Sequence, residues 1–109
     1  METGCVKIRL RPGSLERVRE WAAEINGRRD EVLATLADER VVAESAFLGK
    51  DGDGDFLIYY MKAESLEGAM ETFRKSTHAI DEYHRRFQED TFGEWETLEL
   101  LIDFDRPES

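Results

Sequence analysis

The chain has 109 residues and carries 25 acidic against 15 basic side chains, a formal charge of −10 at pH 7. That excess repels nucleic-acid phosphates and anionic membranes, and the basic residues form no run longer than pairs such as Arg28-Arg29 and Arg85-Arg86; neither nucleic acid nor membrane is an expected partner. Cys5 is the only cysteine, which excludes an internal disulfide and a thiolate metal cluster and reads as a buried strand thiol.

Apolar residues alternate first at Val6, Ile8 and Leu10, the period of a strand. Arg11-Pro12-Gly13 turns the chain, and Ser14 is placed to cap a helix. Leu15, Val18, Ala22, Ile25, Val32 and Leu36 follow as a core-facing stripe, so one helix is expected to about Asp38, with a bend at Asn26-Gly27 favoured over a break into two helices there. Alternation returns from Val42 to Leu48 and from Phe56 to Lys62. Between these strands, Gly49 to Asp55 is acidic and glycine-rich. Counted from Asp51, an EF-hand would need glycine where Phe56 stands and glutamate where Lys62 stands, so the segment reads as a mobile hairpin loop.

Ser65 is a second cap candidate ahead of Leu66, Ala69, Met70 and Phe73. After an interruption at Ser76-Thr77, Ile80, Tyr83 and Phe87 recur at helical spacing to about Asp90. Trp95 is expected to plug one end of the core, and Leu98 to Phe104 to form the last strand. The order strand, helix, strand, strand, helix, strand is the split βαβ pattern of an α+β, ferredoxin-like βαββαβ sandwich with antiparallel sheet order 4-1-3-2. It implies one domain over residues 1–105 and a frayed tail over 106–109. No stretch approaches the roughly 20 apolar residues of a membrane span, and no apolar leader precedes the first strand, so a cytoplasmic location is expected.

The run from Cys5 to Glu16, the segment Phe56-Leu57-Ile58-Tyr59-Tyr60-Met61, and Ser76 to Phe87 together resemble a family of small prokaryotic domains of unknown function. At the level of fold that family is similar to dimeric α/β-barrel proteins, which include antibiotic-biosynthesis-type monooxygenases, haem-degrading enzymes and stress-responsive proteins. The resemblance implies an architecture and carries over no catalytic residue and no cofactor.

The pleat puts Val6, Ile8 and Leu10 on one face and Cys5, Lys7 and Arg9 on the other, where Lys7 and Arg9 are expected to meet Glu99 and Asp103 of the last strand. Strand three carries large side chains on both faces, Tyr59 and Met61 on one, Phe56, Ile58 and Tyr60 on the other. A helix-free face so lined suits a second copy of the chain, and a homodimer is expected.

His78, Asp81 and His84 fall within seven residues of one helix and span roughly 120° of its surface. Histidine titrates near neutrality and Asp81 can orient either imidazole, so the three are candidates for acid–base or binding work. His84, beside Ile80 and Phe87, is expected to matter more, with Tyr59 or Tyr60 facing it across a cavity. The histidines stand about 9 Å apart along the helix, too far to chelate one ion without distortion, so no metal is assigned. Phosphate-loop, dinucleotide, nucleophile-elbow and HExxH patterns are lacking.

Two readings follow. One is a small-molecule site between the sheet and the second crossover helix, lined by His78, Asp81, His84, Tyr59 and Tyr60, that binds a ligand or performs cofactor-free acid–base or oxygenation chemistry. The other is a non-catalytic structural, regulatory or ligand-sensing dimer, in which His78 helps close the Ser76-Thr77 break and His84 lies at the edge of the core. A cavity holding at least one histidine favours the first.

Overall fold

The computed structural model describes residues 1–107; the last two residues of the expected tail, 108 and 109, lie outside the described residues. The elements are β1 (Glu2–Leu10), α1 (Leu15–Gly27), α2 (Arg29–Glu39), β2 (Val41–Asp51), β3 (Gly54–Ala63), α3 (Leu66–Lys75), α4 (Ala79–Thr91) and β4 (Phe92–Thr97). The sheet runs β2-β3-β1-β4 with every neighbour antiparallel, which is 4-1-3-2 counted from the β4 edge. The fold is α+β and ferredoxin-like, with the helices on one side of the sheet. No helix of the described residues is long and apolar enough to cross a membrane.

Each crossover is two helices. Instead of bending at Asn26-Gly27, the first ends there, and Arg28 leaves helical geometry at φ −115°, ψ 43°. The Arg28 guanidinium straddles the break, donating to Glu31 at 2.7 and 2.8 Å and to Glu24 at 3.4 Å. In the second crossover Arg85 donates to the carbonyls of Phe73 and Ser76 at 2.7 and 2.9 Å, adding to the bond that Phe73 accepts from the Ser76 amide at 3.2 Å at the end of α3. Ser65 caps α3 by accepting from the Gly68 amide at 3.0 Å. Ser14 makes no such side-chain bond, and Leu15, expected in the core stripe, is exposed.

The second hairpin is tighter than its composition suggests. Strand pairing continues to Asp51 opposite Gly54, so the expected mobile loop reduces to a turn at Gly52-Asp53. Asp51 holds it by accepting from the Asp53 amide at 2.9 Å, from Arg9 at 2.9 and 3.0 Å and from Lys7 at 3.1 Å. These bonds, led by Arg9, keep the Asp51 carboxyl well below its ordinary range. Lys7 and Arg9 therefore find their partner in the hairpin, and not in Glu99 and Asp103.

The last strand also lies earlier than the alternation from Leu98 to Phe104 implies. α4 ends at Thr91, and Phe92 pairs at once with Leu10, so by Thr97 the strand has reached Val6. Leu98 adds one bond to the Cys5 carbonyl. Beyond it the chain leaves the sheet edge, drawn by Asp103 and Asp105 to Lys62 and by Asp103 to Thr3. Trp95, expected to plug the core, is 66 % exposed.

The core is divided. Ile8, Leu10, Val18, Trp21, Leu57 and Phe87 form one buried cluster, and Val41, Ala63 and Ala69 a smaller one under α2 and α3. Phe87 is fully buried and stacks on Trp21 with ring centroids 4.4 Å apart and 4° between planes. Phe87→Ala should cost about 3–5 kcal/mol of folding free energy, read from denaturant unfolding as a lowered midpoint.

Candidate functional site

Between the two clusters lies a cavity of about 340 Å³. The sheet supplies its floor through the inward set of the pleat, Val6 and Ile8 from β1, Glu44 from β2, Tyr59 and Met61 from β3. The helices roof it with Thr35, Leu36 and Glu39 of α2, Ala69 and Phe73 of α3, and Ile80, Asp81 and His84 of α4. Successive spacings of one and three put the α4 residues on one face. Because the helical layer is broken at Arg28 and at Ser76–His78, it covers the sheet in short pieces that leave this space between them.

His84 is caged by rings. It stacks against Trp21 with centroids 5.6 Å apart, meets Phe73 edge-on at 5.5 Å and Tyr59 at 6.0 Å. The Trp21 indole N–H donates to His84 Nδ1 at 3.0 Å. An indole nitrogen only donates, so Nδ1 must be the bare nitrogen and the proton of the neutral ring sits on Nε2. Burial, with a smaller contribution from the adjacent Arg85 charge, lowers the His84 pKa to about 4. At neutral pH the imidazole is thus an uncharged N–H donor whose tautomer is set by α1. The expectation that Asp81 orients this ring is corrected here: Trp21 occupies Nδ1.

Three carboxyl groups from three elements face the same space. Glu39 is pushed up to about 8, first by burial and then by Glu44, Asp81 and Asp38. Glu44 is raised by burial despite accepting from the Tyr59 hydroxyl, and burial with the nearby Glu44 raises Tyr59 well above its ordinary value. Asp81 is 6 % exposed, and its Oδ2 has no hydrogen-bond partner among the described residues. Thr35, Glu39 and Asp81 also line a second, more polar recess opening beside Asp38, Lys75 and His78, so they stand where the outer recess meets the inner cavity. No group of three or more His, Cys, Asp or Glu side chains among the described residues is spaced to hold a metal ion.

Of the five residues singled out from sequence, His84, Asp81 and Tyr59 line the cavity and two lie elsewhere. His78 is at the N-terminal boundary of α4, exposed, its Nε2 2.7 Å from Asp38, and it borders only the outer recess. Tyr60 pairs with Cys5 and Ser45 on the opposite face of the sheet, because adjacent strand residues point to opposite sides. Cys5 is half-buried on that open face. Trp21, Glu39 and Glu44 were not singled out, although each carried a signal. Trp21 is three residues from Val18, Glu39 continues the stripe of Val32 and Leu36, and Glu44 shares the parity of Leu48.

The chain belongs to the family described as Family of unknown function (DUF6176), whose model matches residues 1–109. Among solved structures it is similar to an uncharacterized NIPSNAP-like domain protein from Burkholderia xenovorans, with TM-score 0.59 and 17% identity over 96% of this chain and 88% of that one. At that identity the likeness is one of fold. No curated protein matches the chain.

In the unfolded chain Glu39 titrates near its ordinary 4.5, whereas folded it holds its proton to about 8. The folded state therefore binds more protons between these values, and this group's contribution to stability is lost as pH rises through them. Glu39→Gln cannot ionise and should gain on the order of 2 kcal/mol relative to the parent at about pH 8, with little difference at about pH 4. Denaturant unfolding at the two pH values measures the gain.

Proposed function

We propose that this chain is a cytoplasmic small-molecule-binding domain that holds its ligand between the sheet and the second crossover helices and works as a homodimer joined through the open sheet face. The observation that carries the binding reading is the cavity of about 340 Å³ with His84, Tyr59 and Asp81 on its wall. Its size falls within the roughly 300–1,000 Å³ of small-ligand sites, and its mostly apolar lining with a few polar groups is their usual make-up. Packing alone tends to close such a space, because void costs roughly 24 cal/mol per Å³. The proton on His84 Nε2 and the low basicity of the ring suit donation to a bound molecule better than abstraction of a proton from it.

The dimer reading is supported by the helix-free face. Phe56, Ile58 and Tyr60 are partly exposed there and Phe47 is 61 % exposed. Leu100, Leu101, Ile102 and Phe104 of the C-terminal segment are exposed as well. Apolar area of this extent on one small domain is characteristic of an association surface.

Native mass spectrometry of protein purified without stripping should show a bound small molecule, and His84→Ala should reduce its retention about tenfold, the loss of one buried hydrogen bond with its packing. Full release in the parent, with a crystal structure whose side chains close the cavity, would count against the reading. Sedimentation at micromolar concentration should give a dimer, and Tyr60→Glu a folded monomer of half the mass, since a charge on the open face is tolerated only in water. A monomeric parent would overturn the dimer and leave the cavity reading standing.

A further inference from the structure

We infer that the molecule held in this cavity is an amphipathic organic cation, a protonated amine on an apolar body, with its head against Glu39, Glu44 and Asp81 and its body in the inner cavity. The inference rests on the small-molecule reading above and adds the chemical class of the ligand. Three carboxyl groups reach the space from α2, β2 and α4, while among the described residues no Lys or Arg lines it and its one histidine, His84, is neutral. The basic side chains that line the outer recess already have partners, Lys75 in Glu71 at 2.9 Å and His78 in Asp38.

The independent sign of a missing ligand is Asp81. An aspartate 6 % exposed whose Oδ2 has no partner among the described residues is a costly arrangement for a fold to keep, because a buried acceptor without a donor forfeits its full hydration. An ammonium head supplies that donor and has further N–H groups for Glu39 and Glu44. The spread of the three carboxyls over three elements, and the lack of a metal-spaced set among the described residues, fit a cation with several directed donors in preference to a bare ion.

Placement fixes the rest of the molecule. Asp81, Glu39 and Thr35 line both the outer recess and the inner cavity, so a head bound there projects its body inward toward Met61, Phe73 and Phe92. The raised Glu39 supports the same class. The charged or titratable groups that face it are Asp38 on its own helix, Glu44 on β2, Tyr59 on β3 and Asp81 on α4, none of them basic, and a cation among the carboxyl groups relieves the repulsion and drives the Glu39 proton off.

Calorimetry on the full chain at about pH 7, with 3-phenylpropylamine, 3-phenylpropanol and 3-phenylpropanoate as probes, tests this. The amine should bind at least about tenfold more tightly than the alcohol and the acid least, with proton release on amine binding seen as a dependence of the measured heat on buffer. Asp81→Asn should narrow the amine-to-alcohol ratio about tenfold, and Glu39→Gln should abolish the proton release while keeping the preference for amine. Equal or tighter binding of the alcohol or the acid would overturn the cation and leave a small-molecule site. No binding of any probe at about 1 mM, an affinity threshold near 4 kcal/mol, would overturn both readings.

Discussion

The hydrogen bond from the Trp21 indole to His84 Nδ1, 3.0 Å long inside a stack of rings, ties the two halves of the helical layer together. It joins α1 to α4 beside a second bond between the same helices, from the Arg17 guanidinium to the Tyr83 hydroxyl at 3.1 Å. Breaking it leaves an indole donor and an imidazole acceptor unpaired in an apolar setting, a cost of about 1–3 kcal/mol for each. The same bond decides the chemistry of the ring by assigning its tautomer, so the packing of a helix pair and the donor presented to the cavity are one fact seen twice.

The cavity exists because the layer above the sheet is discontinuous. Arg28 and Arg85 each hold a break open by satisfying polar groups at it, Arg28 through Glu24 and Glu31, Arg85 through the last carbonyls of α3. Four short helices cannot interlock over a twisted sheet as two long ones would, and the apolar core separates into a large cluster under α1 and α4 and a small one under α2 and α3. Collecting Glu39, Glu44 and Asp81 at the seam between them opposes folding. Proteins keep such destabilising groups mainly where function requires them.

The open face of the sheet follows a different logic. Its charges are paired inside the chain, Lys7 and Arg9 with Asp51, Lys62 with Asp103 and Asp105, which leaves Phe47, Ile58 and Tyr60 as the groups without a cover. The C-terminal segment departs from β1 because its two aspartates gain a lysine that is nearly buried beneath them. β4 pairs with β1 only from Val6 to Leu10, and beyond the single bond from Leu98 to Cys5 the alternating apolar pattern does not hold the chain to the rest of that edge.

Hydrophobic period determined the βαββαβ order, the antiparallel sheet and the inward set Val6, Ile8 and Leu10 of the first strand, since period two and period 3.6 are local properties that a chain carries in its residues; which face of β3 turned inward was settled by its register with β1. Helical phase likewise put Asp81 and His84 on one face. Where Phe92 meets Leu10, how short the Gly52-Asp53 turn is, and that α1 ends at Gly27 depend on partners far along the chain, and the local pattern pointed elsewhere for each. The site divides the same way. Asp81 and His84 were legible as neighbours on a helix, and one of Tyr59 and Tyr60 as the residue facing them, but Glu39 and Glu44 are separated from them by a strand or more and become neighbours only when α2 and β2 pack beside α4. Charge and burial act through space, so which acids share a cavity, and which nitrogen of His84 carries the proton, were decided by tertiary structure alone.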